Sequence, residues 1–102
     1  MSLRLETLQV ARLAPQILGE SASLVDDFVR RQLCSDGGFP DRAGRSDLYY
    51  TVFGIDCLLA LQSELPRDRL VEYVESFTEP SLNDLDLIHL ACLAHCRATL
   101  DL

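Results

Sequence analysis

The chain has 102 residues, a formal net charge of −7 and 48% apolar residues. That length sets one small domain as the expectation, spanning 1–102 and burying about 65% of its unfolded surface, and the apolar content excludes a disordered chain. All nine basic residues are arginine, with no run longer than Arg30-Arg31, so nucleic acid and anionic membrane surfaces are poor partners.

No stretch approaches the ~20 apolar residues of a membrane span. The opening Met-Ser-Leu-Arg-Leu-Glu-Thr brings an acid early and lacks a continuous apolar core, which argues against a secretory signal. Of the four cysteines, Cys34, Cys57, Cys92 and Cys96, three fall inside apolar helix patterns. Small buried thiols are common there, so reduced structural cysteines and a cytoplasmic location are the expectation.

Every periodic segment reads as helix, and no alternating apolar stretch reads as a strand. A first helix is expected from about Leu3 to Leu18, with Leu5, Leu8, Ala11, Leu13 and Ile17 at helical spacing, Pro15 shortening or kinking it, and Gly19 ending it. A second starts at Ser21 or Ser23 as N-cap, places Asp26 and Asp27 near its positive end, and stops before Gly37 and Gly38. Its expected buried stripe is Leu24, Val25, Phe28, Val29 and Leu33.

A third helix begins near Ser46, with Asp47 at the positive end of its dipole, and runs to about Ser63. Leu48, Tyr49, Val52, Phe53, Ile55, Cys57, Leu58, Leu59, Ala60 and Leu61 make it apolar on most faces, the mark of a central helix. A fourth starts at Pro66, carries Leu70, Val71, Tyr73, Val74 and Phe77, and is closed by Pro80. A fifth is capped by Ser81 or Asn83, with Asp84 three residues after Ser81, and runs to about Thr99.

A repeat lies beneath these elements. Phe28-Val29 aligns with Tyr73-Val74, and the same offset sets Leu8, Val10, Leu13 and Ala14 against Phe53, Ile55, Leu58 and Leu59. The pattern is an amphipathic outer helix, a loop and an apolar inner helix, in units of about 21–63 and 66–99 with helix 3–18 as a leading half unit. Such periods produce stacked helical hairpins, each covering a face of its neighbour.

The run Asp36-Gly37-Gly38-Phe39, a following Gly44, then Asp47-Leu48-Tyr49-Tyr50-Thr51 and an apolar helix resembles the repeat of protein prenyltransferase β subunits, to which the repeat of squalene and terpene cyclases is related. The resemblance covers about Val25 to Leu61 and extends over Leu70 to Ala98 by pattern. It implies an all-α fold of about five antiparallel helices, stacked as inner and outer hairpins in an arc of an α/α toroid. Asp36, Gly37, Gly38 and Phe39 would then form the structural turn between an outer and an inner helix. The family glutamine expected three residues before the Asp-Gly-Gly-Phe is Leu33 here, with Gln32 one place early. The family's Asp-x-Cys zinc ligands and its basic diphosphate-binding cluster have no counterpart on the inner helices.

Four constellations remain. Asp84 and Asp86 in Asp-Leu-Asp-Leu resemble part of the Asp-x-Asp-Asp acid of class II terpene cyclases, but Leu87 holds the fourth position, and acids at a helix start also stabilise its dipole. His89, Cys92 and Cys96 share one face of the fifth helix and are zinc-ligand types; the alternative is ordinary helix packing with no metal. Tyr49, Tyr50 and Phe53 suit an aromatic pocket for an isoprenoid chain or carbocation, or a plain core. The loop charges Asp36, Asp41, Arg42, Arg45 and Asp47 read as a solvated surface. The expectation is therefore a non-catalytic module without a cofactor, working through a homo-oligomer or protein partner on its apolar terminal helices. The alternative is an isoprenoid or terpene-type enzyme whose site is completed across an oligomer or by a longer chain, zinc being its low-ranking cofactor and an isoprenoid its ligand.

Overall fold

The computed structural model describes Glu6 and residues 14–102, and the fold is all-α. Its helices are α1 (Ala14–Leu18), α2 (Ser21–Gln32), α3 (Leu48–Ala60), α4 (Arg67–Glu75), α5 (Glu79–Leu82) and α6 (Leu87–Thr99). Most of the first expected helix, and with it Leu5, Leu8, Ala11 and Leu13, lies outside the described residues. Among the described residues no helix is long and apolar enough to cross a membrane.

The chain divides into two compact units. One joins the segment ending at Gln32 to Gly54–Leu65; the other joins Leu33–Phe53 to Pro66–Leu102. Helix α3 therefore contributes its first turns to the second unit and the rest to the first.

In the first unit, Gly19 at φ +56° ends α1, and Ala22 donates from its backbone to Gly19 O at 3.1 Å. Asp26 and Asp27 stand in the middle of α2, not in its first turn. Asp26 pairs with Arg30 at 3.0 Å, one turn on. Arg30 reaches further, donating to Ser63 Oγ at 2.6 Å and to the Glu64 carbonyl. The Ser63 hydroxyl first, and Arg30 second, hold the Asp26 carboxyl below the usual carboxylate range.

The core of this unit comes from α3, where Ile55 and Leu58 are fully buried. The expected stripe of α2 is corrected: Leu24 is 68% and Phe28 61% exposed, and α2 has no buried residue. Amphipathicity marks a face for burial without supplying the element that covers it. Helix α3 closes with Ser63 N donating to Leu58 O at 2.9 Å and Gln62 N to Leu59 O at 3.0 Å. Gln62 holds the left-handed position at φ +55°, so the pair is a Schellman closure. The same closure ends α6, with Leu102 N to Arg97 O at 2.9 Å and Asp101 at φ +58°.

In the second unit, Phe39, Leu48, Leu70, Tyr73, Val74, Leu93, Cys96 and Leu100 form the core. The loop before α3 is built as a latch. Cys34 N donates to Gly38 O at 2.8 Å and Gly37 N to Cys34 O at 3.0 Å. Asp36 Oδ1 accepts from Gly38 N at 3.1 Å and from the Ser46 hydroxyl. Arg69 on α4 donates to the Cys34 carbonyl at 2.5 Å, which ties the loop to that helix.

Both glycines of the turn are required, for different reasons. Gly37 has φ +94°, and a Cβ there would lie 1.9 Å from Arg69 O. Gly38 does not take positive φ; a Cβ on it would meet Ser46 Cβ at 2.8 Å and the Tyr73 ring at 2.9 Å. Phe39 is buried, with its N–H donated to Thr51 Oγ1 at 3.0 Å, while that hydroxyl donates to Asp47 O at 2.7 Å. Thr51 is the one polar residue in the buried core of the described residues. Thr51→Val keeps its shape and strands the Phe39 N–H, so a loss of about 1–3 kcal/mol is expected, read by chemical unfolding beside Thr51→Ser, which keeps the acceptor.

The expected fifth helix is two. Pro80 stands at the start of α5 instead of ending α4, because its missing N–H costs nothing in a first turn. The Ser81 hydroxyl donates back to Thr78 O at 2.8 Å and so is not a cap for α6. The chain then turns through 83–85, and Asp86 is the N-cap of α6, its Oδ1 accepting the His89 N–H at 2.8 Å.

Candidate functional site

The chemistry-bearing side chains that converge are at the starts of α3 and α6, within the second unit. Asp47 caps α3, its Oδ2 accepting the Tyr50 N–H at 3.1 Å, as Asp86 caps α6. His89, in the first turn of α6, bridges the two caps. Its Nδ1 lies 2.8 Å from Asp86 Oδ1 and its Nε2 lies 2.9 Å from Asp47 Oδ1. The hydrogen bond to Asp86, then that to Asp47, raises the His89 pKa above its ordinary value. The Asp86 carboxyl is in turn held below the usual carboxylate range, first by the His89 backbone N–H and then by its ring.

Beside this bridge is a shallow open recess of about 410 Å³, lined by Asp41, Asp47, Tyr49, Tyr50, Ile88 and His89. The Asp41 carboxylate closes its own loop, accepting from Ala43 N at 2.8 Å and Arg45 N at 3.1 Å. Tyr49 meets Tyr50 edge to face at 5.9 Å and Phe53 at 5.0 Å. Tyr49 is 44% and Phe53 55% exposed. The aromatic trio expected as a core or pocket wall is therefore divided: Tyr49 and Tyr50 line the recess, and Phe53 faces outward beside it.

The remaining candidates fall apart in space or in role. Asp84 is exposed in the turn before α6 and does not line the recess. Cys92 is half-buried and Cys96 fully buried. Burial, then the Asp47 and Asp86 charges, pushes the Cys92 thiol up, and burial, then Asp26, does the same to Cys57 in the first unit. Those shifts disfavour thiolate. Both ring nitrogens of His89 are committed to carboxylates on opposite edges of the imidazole, so these donors do not aim at a common point. Among the described residues no three His, Cys, Asp or Glu side chains are grouped to hold a metal ion.

No family model, no curated protein and no solved structure matches the chain. The reading of this site therefore rests on its own geometry. It offers an imidazole locked between two capping carboxylates, at the rim of an open aromatic recess. Neither His89 ring nitrogen is open to deprotonate a nucleophile, which is what general-base work by this residue would require.

The pairing of Asp47 with His89 was missed by sequence reasoning. Asp47 reads in sequence as a dipole acid and His89 as a member of the Cys92 and Cys96 face. They stand 42 positions apart, and helical periodicity carries no information at that separation.

Proposed function

We propose that this chain is a non-catalytic, prenyltransferase-like repeat module that works through oligomerisation or partner binding. The observation that carries the reading is the large apolar surface left outward on its helices. In the first unit Ile17, Leu24 and Phe28 are each more than 60% exposed. In the second, Phe53, Leu87 and Ile88 each exceed 50%. Scattered exposed apolar residues need no explanation, but several large ones along helix faces mark an interaction surface. The Asp36-to-Phe39 latch and the apolar helix after it are what support the repeat resemblance.

The test is solution mass by light scattering. The wild-type chain is expected to exceed a monomer's mass, and Phe53→Glu or Leu87→Glu to lower it. Leu87 is exposed, so its change should alter stability by no more than about 0.5 kcal/mol, while Phe53→Glu also loses the edge-to-face contact with Tyr49, about 0.5–1.5 kcal/mol. A wild-type chain that stays monomeric at high micromolar concentration overturns the self-association form of this reading.

The second reading is an isoprenoid-type enzyme completed by another copy or a longer chain. It is favoured by Tyr49 and Tyr50 lining one recess with Ile88. Metal analysis with a prenyl-diphosphate binding assay separates the two: zinc or binding supports the enzyme, and absence of both leaves the module.

A further inference from the structure

We propose that Asp47, His89 and Asp86 form a proton-dependent clasp that ties the first turn of α6 to the first turn of α3. The argument is one of hydrogen counting. An ionised carboxylate only accepts, so a ring nitrogen held against it must carry a proton. His89 places Nδ1 at 2.8 Å from one carboxylate oxygen and Nε2 at 2.9 Å from another. Only the doubly protonated, positively charged imidazole satisfies both. A neutral ring has one N–H, and its other nitrogen would face a carboxylate lone pair to lone pair.

Neither carboxylate can turn aside without loss. Asp86 Oδ1 is also the acceptor for the His89 N–H that starts α6. Asp47 accepts the Tyr50 N–H through its other oxygen, and its own carbonyl accepts the Thr51 hydroxyl and N–H. Each carboxylate also satisfies a backbone N–H at the start of its helix, so both stay in place when the ring changes charge. The strain of deprotonation then falls on the clasp itself.

The charged surroundings favour the closed form. Asp47 from α3 and Asp41 from the loop line the same recess as His89; Asp86 and the Cys92 thiol lie on its own element. Tyr49 and Tyr50 add hydroxyls from α3. No cation lines the recess among the described residues. The sign follows. The folded pKa of His89 is raised above its ordinary 6.5, so its contribution is fully present below about 6.5 and is lost as pH rises through the raised value. The Asp86 carboxyl is lowered from 3.8, so its contribution is present above that value and is lost as pH falls. The clasp is complete between those limits. Ile88, next to His89, forms the recess with Tyr49 and Tyr50, so that recess is held in the same window.

The experiment is long-range proton–nitrogen NMR of the histidine rings in the full chain across pH, with a His89→Gln spectrum to separate His89 from His95. Asp47→Asn and Asp86→Asn serve as variants, since asparagine keeps a capping oxygen and removes the charge. In wild type at pH 6 both His89 ring nitrogens are expected to be protonated, with a titration midpoint above 6.5 and Tyr49 and Tyr50 ring signals moving at that midpoint. Each asparagine variant is expected to move the midpoint down. A neutral single tautomer at pH 6, or a midpoint unchanged by both variants, overturns the clasp.

Discussion

Gly37→Ala is expected to destabilise the second unit by about 3–5 kcal/mol, as backbone strain of ~1–3 kcal/mol and overpacking of a similar size act together. The new Cβ would lie 1.9 Å from Arg69 O and 2.7 Å from Arg69 C. Those atoms belong to the backbone of α4 and cannot rotate away as a side chain would. The loop cannot easily retreat either, because Arg69 holds the Cys34 carbonyl and Asp36 holds Gly38 and Ser46. Gly44→Ala isolates the strain, since Gly44 has φ +83° with nothing within 4 Å of a Cβ. It should cost only about 1–2 kcal/mol. Urea unfolding of the two variants reads the difference. Equal losses would mean that the loop does not press on α4 as described.

That latch was the most legible part of the chain. Asp36-Gly37-Gly38-Phe39 announces a turn, and Asp47 announces the helix that follows. Both ends of α3 and the start of α4 fall within a few residues of expectation because Pro66, Asp47 and the apolar runs are strong local signals, whereas α4 stops at Glu75, short of the Pro80 expected to close it. The break between α5 and α6 was not legible. A proline reads equally as a helix stop or as a first-turn residue, and Pro80 is the second kind. Ser81 and Asn83 are the expected caps, but Asp86 is an equally good cap type, and only the chain's path decides that it takes the role.

The outward face of α2 was illegible for a different reason. Leu24 and Phe28 repeat at helical spacing whether or not an element covers them. The candidate site was legible as residue types and not as a constellation. Tyr49, Tyr50, Asp86 and His89 each stand out along the sequence, yet their meeting depends on how α6 is laid against α3. Helical spacing grouped His89 with Cys92 and Cys96, while the fold gives its ring to Asp47. A contact between two helix starts is written in tertiary packing, where local pattern has no reach.

Tyr73→Ala is expected to cost about 3–5 kcal/mol, in the range of a buried aromatic truncation. Tyr73 is buried on α4, meets Phe77 edge to face at 5.3 Å, and forms the wall against which Gly38 rests. Burial, then the Asp36 and Asp47 charges, pushes its hydroxyl well above the ordinary phenol value, so the phenol is neutral at neutral pH. A double-mutant cycle with Gly38→Ala gives the sharper test. In wild type the alanine methyl meets Tyr73 Cε1 and Cζ at 2.9 Å and Ser46 Cβ at 2.8 Å. Removing the ring relieves the first two contacts and leaves the third. Gly38→Ala should therefore cost less in the Tyr73→Ala background, with a coupling of about 0.5–3 kcal/mol, as is usual for residues in contact. Additive losses, within about 0.5 kcal/mol, would show that Ser46 alone sets the space at Gly38 and that the Tyr73 ring is not the wall of the latch.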